Sequence, residues 1–556
     1  MKTLNLIFPV CILLFLGFSC NFKKIKSEDL SDLNLLQGDI TLCGNGDFGE
    51  VSFSISCEED VRKKFDLAIS LLHSFEYSEA EKAFAQIIAD DPDCAMAYWG
   101  VAMSNFHSLW LQSGTAYLEK GALALELARS LVRDEREKAY ILALSKFYED
   151  WETQSHQERA HRFELAMEKV YREFPDDKEA AIFYALALRA TADPNDKTYK
   201  AQRKSGAILE SIYPNQPDHP GIAHYIIHNY DYPELANLAL ATARKYAQIA
   251  PSSAHAQHMP SHIFTRLGLW EESINSNLNS TSSAICYAES IDPDGHWDEE
   301  LHGMDYLVYA YLQKGETKKA LEQLEYLKTF KKVFPENFKV AYTVAAIPSR
   351  IALETKDWIL ASNLEMPSIE LNWEKFPWQE SILYFARAMG SIRNGDVNQA
   401  KEELELLKAN HEQLVRMKQI YESNQVQIQI KTVEAWISMF QGNQTEAVAM
   451  MRAAAEMEYH TNKHPVTPGE VLPAGELLGD LLMESKLPAE ALIAYEYDLT
   501  QHPKRFNGLY GAAKAAELSG NHSLSISYFK QMIDLTNLNE IERKEIVEAK
   551  EFLAKN

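Results

Sequence analysis

From about residue 60 onward, large apolar residues recur every three or four positions, and the pattern breaks at intervals at Gly, Pro or Asp-Pro. That period predicts amphipathic helices, and the breaks predict tight turns between them. A second layer lies over the first: a turn residue, a small residue five positions on, then a large apolar residue four beyond that. Gly315, Ala320 and Leu324 follow it, as do Gly395, Ala400 and Leu404; Gly442, Ala447 and Met451; and Gly520, Ser525 and Phe529. "KLPAEALIAYEYDLTQHP" supplies Lys486, Ala491 and Tyr495 with Pro503 as a stop, and the earliest copy, "YSEAEKAFAQIIADDP", supplies Ala80, Phe84 and Pro92. The small residue lets two antiparallel helices approach, and the large one fills the gap between neighbouring hairpins. The expected fold is all-α: helical hairpins stacked into a curved superhelix over residues 57–556, with possible sub-arrays 57–315 and 316–556, and first helices lining the concave face.

The opening "MKTLNLIFPVCILLFLGFSCN" breaks that pattern. Lys2 precedes an apolar run from Leu4 to Phe18 that is too short for an ordinary spanning helix and reads as a secretion signal. Leu16-Gly17-Phe18-Ser19-Cys20 resembles a relaxed bacterial lipoprotein processing box. The resemblance implies a signal peptide over residues 1–19, lipid (palmitate among its chains) on Cys20, and attachment to the cell envelope, at the outer membrane, through that anchor alone. A plain secretory peptide with Cys20 unmodified is the alternative. Residues 20–56 then form the lipidated tether and loop region: "NFKKIKSEDLSD" is charged, and "LCGNGDFGEVSFSISC" suggests a loop or short hairpin.

An oxidising compartment changes the reading of the cysteines. Cys43, Cys57, Cys94 and Cys286 remain after processing and allow three pairings. Cys57 precedes the first amphipathic segment and Cys94 follows "DPD", where a helical hairpin brings its ends together, which favours a Cys57–Cys94 disulfide; free buried thiols are the alternative.

Charge narrows the partners. The chain has 556 residues, 46% of them hydrophobic, and a formal net charge of -25. Nucleic acid and anionic membrane surfaces would be repelled, so neither is expected as a main partner.

Six of the 17 histidines fall in "HPGIAHYIIHNYDY" and "HAQHMPSHIF". His224 and His228 are four apart and share a helix face; His255, His258 and His262 are spaced three and four apart. The step from His224 to His258, like that from His228 to His262, is 34 residues, one helical-hairpin unit. Laying Gly315 on Gly268 brings His302 and Asp305 onto the next first helix. His224, His228, His258, His262, His302 and Asp305 are therefore candidate ligands for zinc, copper, nickel or iron, since imidazoles with a carboxylate suit those ions. The alternative is that these rings only hydrogen-bond the Tyr, Ser and backbone groups of the groove. Pro260 cannot donate a backbone hydrogen bond, so the second helix kinks or begins there, which could carry His255 off the wall. Tyr225, His255, Arg350 and Arg387 are further candidates for a ligand groove.

Whole blocks carry a closer resemblance. "SCEEDVRKKFDLAISLLHSFEYSEAEKAF", "DPDCAMAYWGVAMS", "HPGIAHYIIHNYD", "APSSAHAQHMPSHIFTRLGLWEESI", "DYLVYAYLQKG" and "TPGEVLPAGELLGDLL" with "YGAAKAAELSG" resemble, in this order, a poorly characterised bacterial family of secreted tetratricopeptide-repeat proteins. The resemblance implies the repeat fold and export. A stacked repeat array also presents a long preorganised concave groove, so binding of a protein, peptide or small ligand there is expected. No enzyme is indicated: "HYIIH" has Tyr225 where a zinc protease needs Glu, and neither G-x-S-x-G nor a phosphate-binding G-x-x-x-x-G-K-[ST] occurs. A third reading is a glycan-binding lipoprotein of a polysaccharide-utilisation system, with Trp99, Trp110, Trp270, Trp297, Trp373 and Trp378 as sugar platforms.

Overall fold

In the computed structural model, residues 31–41, 43–109, 114–536 and 543–556 are described. The expected Cys20 anchor, and Trp110, lie outside them. The periodic segments form helices that pack against their sequence neighbours throughout, so each pair is an antiparallel hairpin. The first helices also touch one another one hairpin away: Lys178–Ala190 meets Pro220–Tyr230, Asp298–Gln313 meets Phe338–Glu354, and Pro377–Arg393 meets Ile420–Phe440. That makes them the continuous inner wall of a stacked, curved array. It also explains why Pro220–Tyr230 is buried at every position while the second helices keep exposed outer faces.

The spacing rule has a direct structural cause. Gly315, Gly395, Gly442 and Gly520 hold φ of 71°, 86°, 89° and 79°, and Phe75 and Lys486 take the same place at 60° and 59°. This left-handed residue turns the chain from a first helix into a second. The small residues that follow, Ala80, Ala320, Ala400, Ala447, Ala491 and Ser525, are all 0% exposed, at the line of closest helix approach. The large ones, including Phe84, Met451, Tyr495 and Phe529, fill the space between hairpins, each contributing about 1.5–3 kcal/mol of burial.

Residues 31–56 are not a loose tether in the part described. Leu33, Phe48, Phe53 and Ile55 are buried in the first core, and no strand hairpin forms there. The segment runs across the first hairpins, its backbone N–H groups donating to side chains they present: Leu36 to Glu81, Thr41 to Glu79 and Phe53 to Asp66. Disulfides join Cys57 to Cys94 and Cys43 to Cys286, the second spanning 243 residues.

The curvature is tight enough for the array to meet itself. Helix Phe506–Leu518 contacts Asp298–Gln313. The Trp270 indole N–H donates to Lys504 O at 3.0 Å, and buried Arg505 donates to Tyr309 Oη at 3.1 Å and Glu354 Oε1 at 2.5 Å. Gly268 is required at this seam, because a Cβ there would stand 2.7 Å from Pro503 O.

Segment 460–473, between helices Gln444–Tyr459 and Ala474–Glu484, lies in the hollow rather than outside it. Lys463 Nζ donates to Asp231 Oδ2 at 3.2 Å, Val466 O accepts from Tyr306, Gly469 O accepts from Tyr342 and Arg350, and Glu470 pairs with His502 at 2.8 Å. No helix among the described residues is long and apolar enough to cross a membrane.

Candidate metal centre

Pro220 opens its helix at the first turn, where a missing N–H costs nothing, and His219 caps it by accepting from Ile222 N at 3.3 Å. Glu179 holds this end of the wall. Its carboxylate takes His73 Nε2 at 2.9 Å and His219 Nε2 at 2.8 Å; burial would raise it, but the two imidazoles outweigh burial and hold it down at about 2. His73 Nδ1 meets Tyr225 Oη at 2.9 Å. Tyr225 is therefore a core residue, 1% exposed, and not a groove contact.

One helical turn further, two sets of three imidazoles stand side by side. His224, His228 and His255 converge on one point and His258, His262 and His302 on another. His224 Nε2 is 2.8 Å from His228 Nε2 and 3.1 Å from His255 Nε2. His258 Nε2 is 3.0 Å from His262 Nε2, and the His302 ring centroid is 4.2 Å from that of His258. Each set takes an i, i+4 pair from one hairpin, on the single helix Pro220–Tyr230 in the first set and across the adjoining helices Ala254–His258 and Pro260–Arg266 in the second, and a third ring from the next hairpin. Rings of different sets, His228 with His262 and His255 with His258, lie 6.4 Å apart.

The outward nitrogens fix the proton positions. His224 Nδ1 donates to His73 O at 2.7 Å. His258 Nδ1 donates to Asn277 Oδ1 at 2.6 Å, and that amide is oriented by its own Nδ2 donating to Ser273 O at 2.7 Å. His262 Nδ1 donates to Asp231 Oδ2 at 2.9 Å. Asp231 also accepts from Lys463 and, at 3.0 Å, from Arg266; although burial raises its carboxyl, Arg266 and His262 hold it below the ordinary range. With Nδ1 protonated, the Nε2 atoms of His224, His258 and His262 carry their lone pairs inward. Burial first, then neighbouring imidazoles, pushes His224, His228 and His258 well below the usual imidazole value; burial does the same for His302 despite Glu299. That shift favours the neutral form of these four rings, the form a transition metal binds.

Sequence spacing brought five of the six candidates together, but not Asp305. Three residues along from His302, it turns toward buried Arg350 and forms an ion pair with it; burial raises its carboxyl to about 6 against that pairing. His255 takes the sixth place. The helix does break at Met259, into Ala254–His258 and Pro260–Arg266, yet His255 stays on the wall because the break falls after it. Arg350 is 0% exposed, held between Asp305, Tyr342 and Gly469 O, and Arg387 pairs with Glu403 at 3.1 Å in the C-terminal core; neither is free for a groove ligand. Trp99, Trp270 and Trp378 are buried and Trp297 and Trp373 half-buried, so the described tryptophans form no exposed sugar platform.

Sequence reasoning did not find Asp231, Asn277, Glu299 or Lys339. Asp231 and Asn277 orient rings; Glu299 and Lys339 pair at 2.5 Å beside His255 and His302. A cavity of about 160 Å³ opens there, lined by His228, His255, His262 and His302 with Phe75, Tyr77 and Phe338 among its walls. Asn277 was legible in principle, since it sits nine residues after Gly268, where the repeat rule expects a large apolar side chain.

No family model matches the chain, and no curated protein matches it. Helical-repeat structures align over most of it at low similarity. A human IFIT1 dimer with PPP-AAAA has 13% identity and a TM-score of 0.36, covering 87% of this chain and 96% of that one. The APC/C hetero-tetramer Cut9–Hcn1 has 13% identity and 0.32, covering 89% of each. Yeast Tom70 has 13% identity and 0.33, covering 90% of this chain and 97% of that one.

Proposed function

We propose that this chain is a metal-binding helical-repeat protein that holds two transition-metal ions side by side, one by His224, His228 and His255 and the other by His258, His262 and His302, within reach of a small ligand in the adjoining cavity. The observation that carries this reading is the His258–His262 pair. Asn277 and Asp231 take the two Nδ1–H groups, so with one proton per ring two Nε2 lone pairs face each other 3.0 Å apart and neither ring has a proton to place between them. In a fully buried place that arrangement is unfavourable by itself and becomes favourable around a cation. A carboxylate or amide behind each ring is also the arrangement that orients metal-ligating histidines. Protein purified without an affinity tag, reconstituted and analysed for elemental content, is expected to hold two ions per chain. Less than about a tenth of an equivalent of any transition metal would overturn the reading.

The repeat fold supports binding of a protein or small ligand in its hollow. Segment 460–473 occupies part of that hollow, which favours a small ligand over a long peptide. The two disulfides fit an exported protein, and with the lipoprotein-like box at Cys20 they support an anchored address in the bacterial envelope.

A further inference from the structure

We infer that the two histidine triads hold a pair of copper ions that bind dioxygen as a bridging peroxide and oxidise a small diphenol in the adjoining cavity. This rests on the dinuclear reading above and assigns its metal, co-reactant and substrate class.

Charge selects the metal. The triads contain only imidazoles, which bind a metal as uncharged ligands, with no carboxylate or thiolate among them. The nearby anions already have cationic partners: Asp231 has Arg266 and Lys463, and Glu299 shares Lys339 with Asp298. Two divalent ions set side by side would repel four times as strongly as two monovalent ones at any dielectric constant, with no anionic ligand to offset it. Among the ions that imidazole suits, copper is the one with a stable monovalent state. Three nitrogens complete a trigonal copper(I) site and leave its fourth side open.

The open side faces the cavity, since His228, His255, His262 and His302 all line it. With metal–nitrogen bonds of about 2.0 Å, the length zinc makes to imidazole, rings 6.4 Å apart across the two sets leave their ions near enough to share a two-atom ligand. Dioxygen then takes one electron from each copper(I), giving two copper(II) ions bridged by peroxide. The total charge of the centre stays at +2, so the buried site carries the same charge before and after binding.

The substrate class follows from volume and walls. About 160 Å³ is close to the roughly 150 Å³ in which an apolar protein cavity holds one benzene ring. Phe75, Tyr77, Leu109 and Phe338 provide aromatic and aliphatic walls. Glu299 also lines the cavity. Its Oε2 is buried without a hydrogen-bond partner, and His255 Nδ1 lies 3.8 Å away. That oxygen is placed to accept a hydrogen bond from a phenolic hydroxyl.

The electrons balance over two turns of one cycle. A first diphenol gives two electrons and two protons to the bridging peroxide, the O–O bond breaks, and two hydroxides and a quinone result. A second diphenol reduces the two copper(II) ions back to copper(I), releasing a second quinone and two protons that convert the hydroxides to water. One dioxygen therefore consumes two diphenols.

The test loads apoprotein with copper(I) under anaerobic conditions, admits oxygen, and then adds catechol. Expected are two coppers per chain, one dioxygen taken up per copper pair, a charge-transfer band whose Raman O–O stretch shifts with heavy oxygen, and two quinones per dioxygen. Glu299→Gln keeps the band and lowers kcat/KM for catechol by about tenfold or more; an unchanged kcat/KM removes Glu299 from the scheme. Two coppers without an oxygen-dependent band or quinone overturns the inference and leaves the dinuclear reading standing. A chain that takes up less than about a tenth of an equivalent of copper, and of every other transition metal, overturns both.

Discussion

Replacing Asn277 by Leu tests whether the second triad is built for a metal or merely packed with histidines. Asn277 and His258 are both 0% exposed, and the amide oxygen is the acceptor for His258 Nδ1–H at 2.6 Å. Leucine keeps the volume and removes the acceptor, which leaves a buried N–H unpaired at about 1–3 kcal/mol. The ring escapes that cost by moving its proton to Nε2, where His262 Nε2 stands 3.0 Å away as an acceptor. The apo pair then gains a hydrogen bond, and an incoming ion must displace a proton. Loss of such an orienting partner weakens metal binding by about 10–100-fold, or roughly 1.4–2.7 kcal/mol. The loss is confined to the His258–His262–His302 ion, because His224 is oriented by a backbone carbonyl that the substitution does not touch. Titration against a competing chelator therefore resolves one weakened and one unchanged site, while Asn277→Asp restores or strengthens the weak one. A folded Asn277→Leu protein that binds both ions with wild-type affinity would refute the reasoning.

Other consequences are open to simple measurements. His502 lies between Asp498 at 3.0 Å and Glu470 at 2.8 Å; burial opposes its charge, but the two carboxylates raise it well above the ordinary imidazole value. A raised folded value stabilises fully below the unfolded value near 6.5 and is lost as pH climbs through the folded one. His502→Gln should therefore cost about 3–5 kcal/mol at pH 6 and progressively less in alkali; a gap in denaturant midpoints that stays flat with pH would contradict this. Chain-entropy arithmetic gives about 5 kcal/mol for the Cys43–Cys286 link and about 4 kcal/mol for Cys57–Cys94, so Cys286→Ser should lower the melting temperature more than Cys94→Ser, and the reverse order would count against the brace. Cys20→Ser should move the protein from the membrane fraction to the soluble one and abolish palmitate labelling; unchanged fractionation would remove the anchor.

The helical array was legible because its rule is local. A left-handed turn residue, a small side chain at closest approach and a large one between hairpins each act within ten residues, so Gly395, Ala400 and Leu404 announce their geometry in the sequence itself. The histidine wall was legible for a related reason: repeat length turns a 34-residue step into spatial adjacency. What spacing could not assign was direction. Asp305 sits one turn from His302, but a buried guanidinium 45 residues away takes its carboxylate. His255 looked endangered by Pro260, yet a break on the far side of Met259 leaves it in place. Asp231, Glu299 and Lys339 owe their roles to partners on other helices or in segment 460–473, and no periodicity marks such pairings.

The seam at Gly268, Trp270, Lys504 and Arg505 changes what kind of object the array is. An open stack of hairpins can fray from either tip and lose units one by one, like a row of books without an end support. Here the last volumes lean on the middle of the shelf. Shortening the chain by its final two hairpins would withdraw the wall on which Gln313, Glu354 and Tyr309 rest and slacken the helix that carries His302. Residues some two hundred positions beyond the histidines thus belong to the housing that keeps them in place.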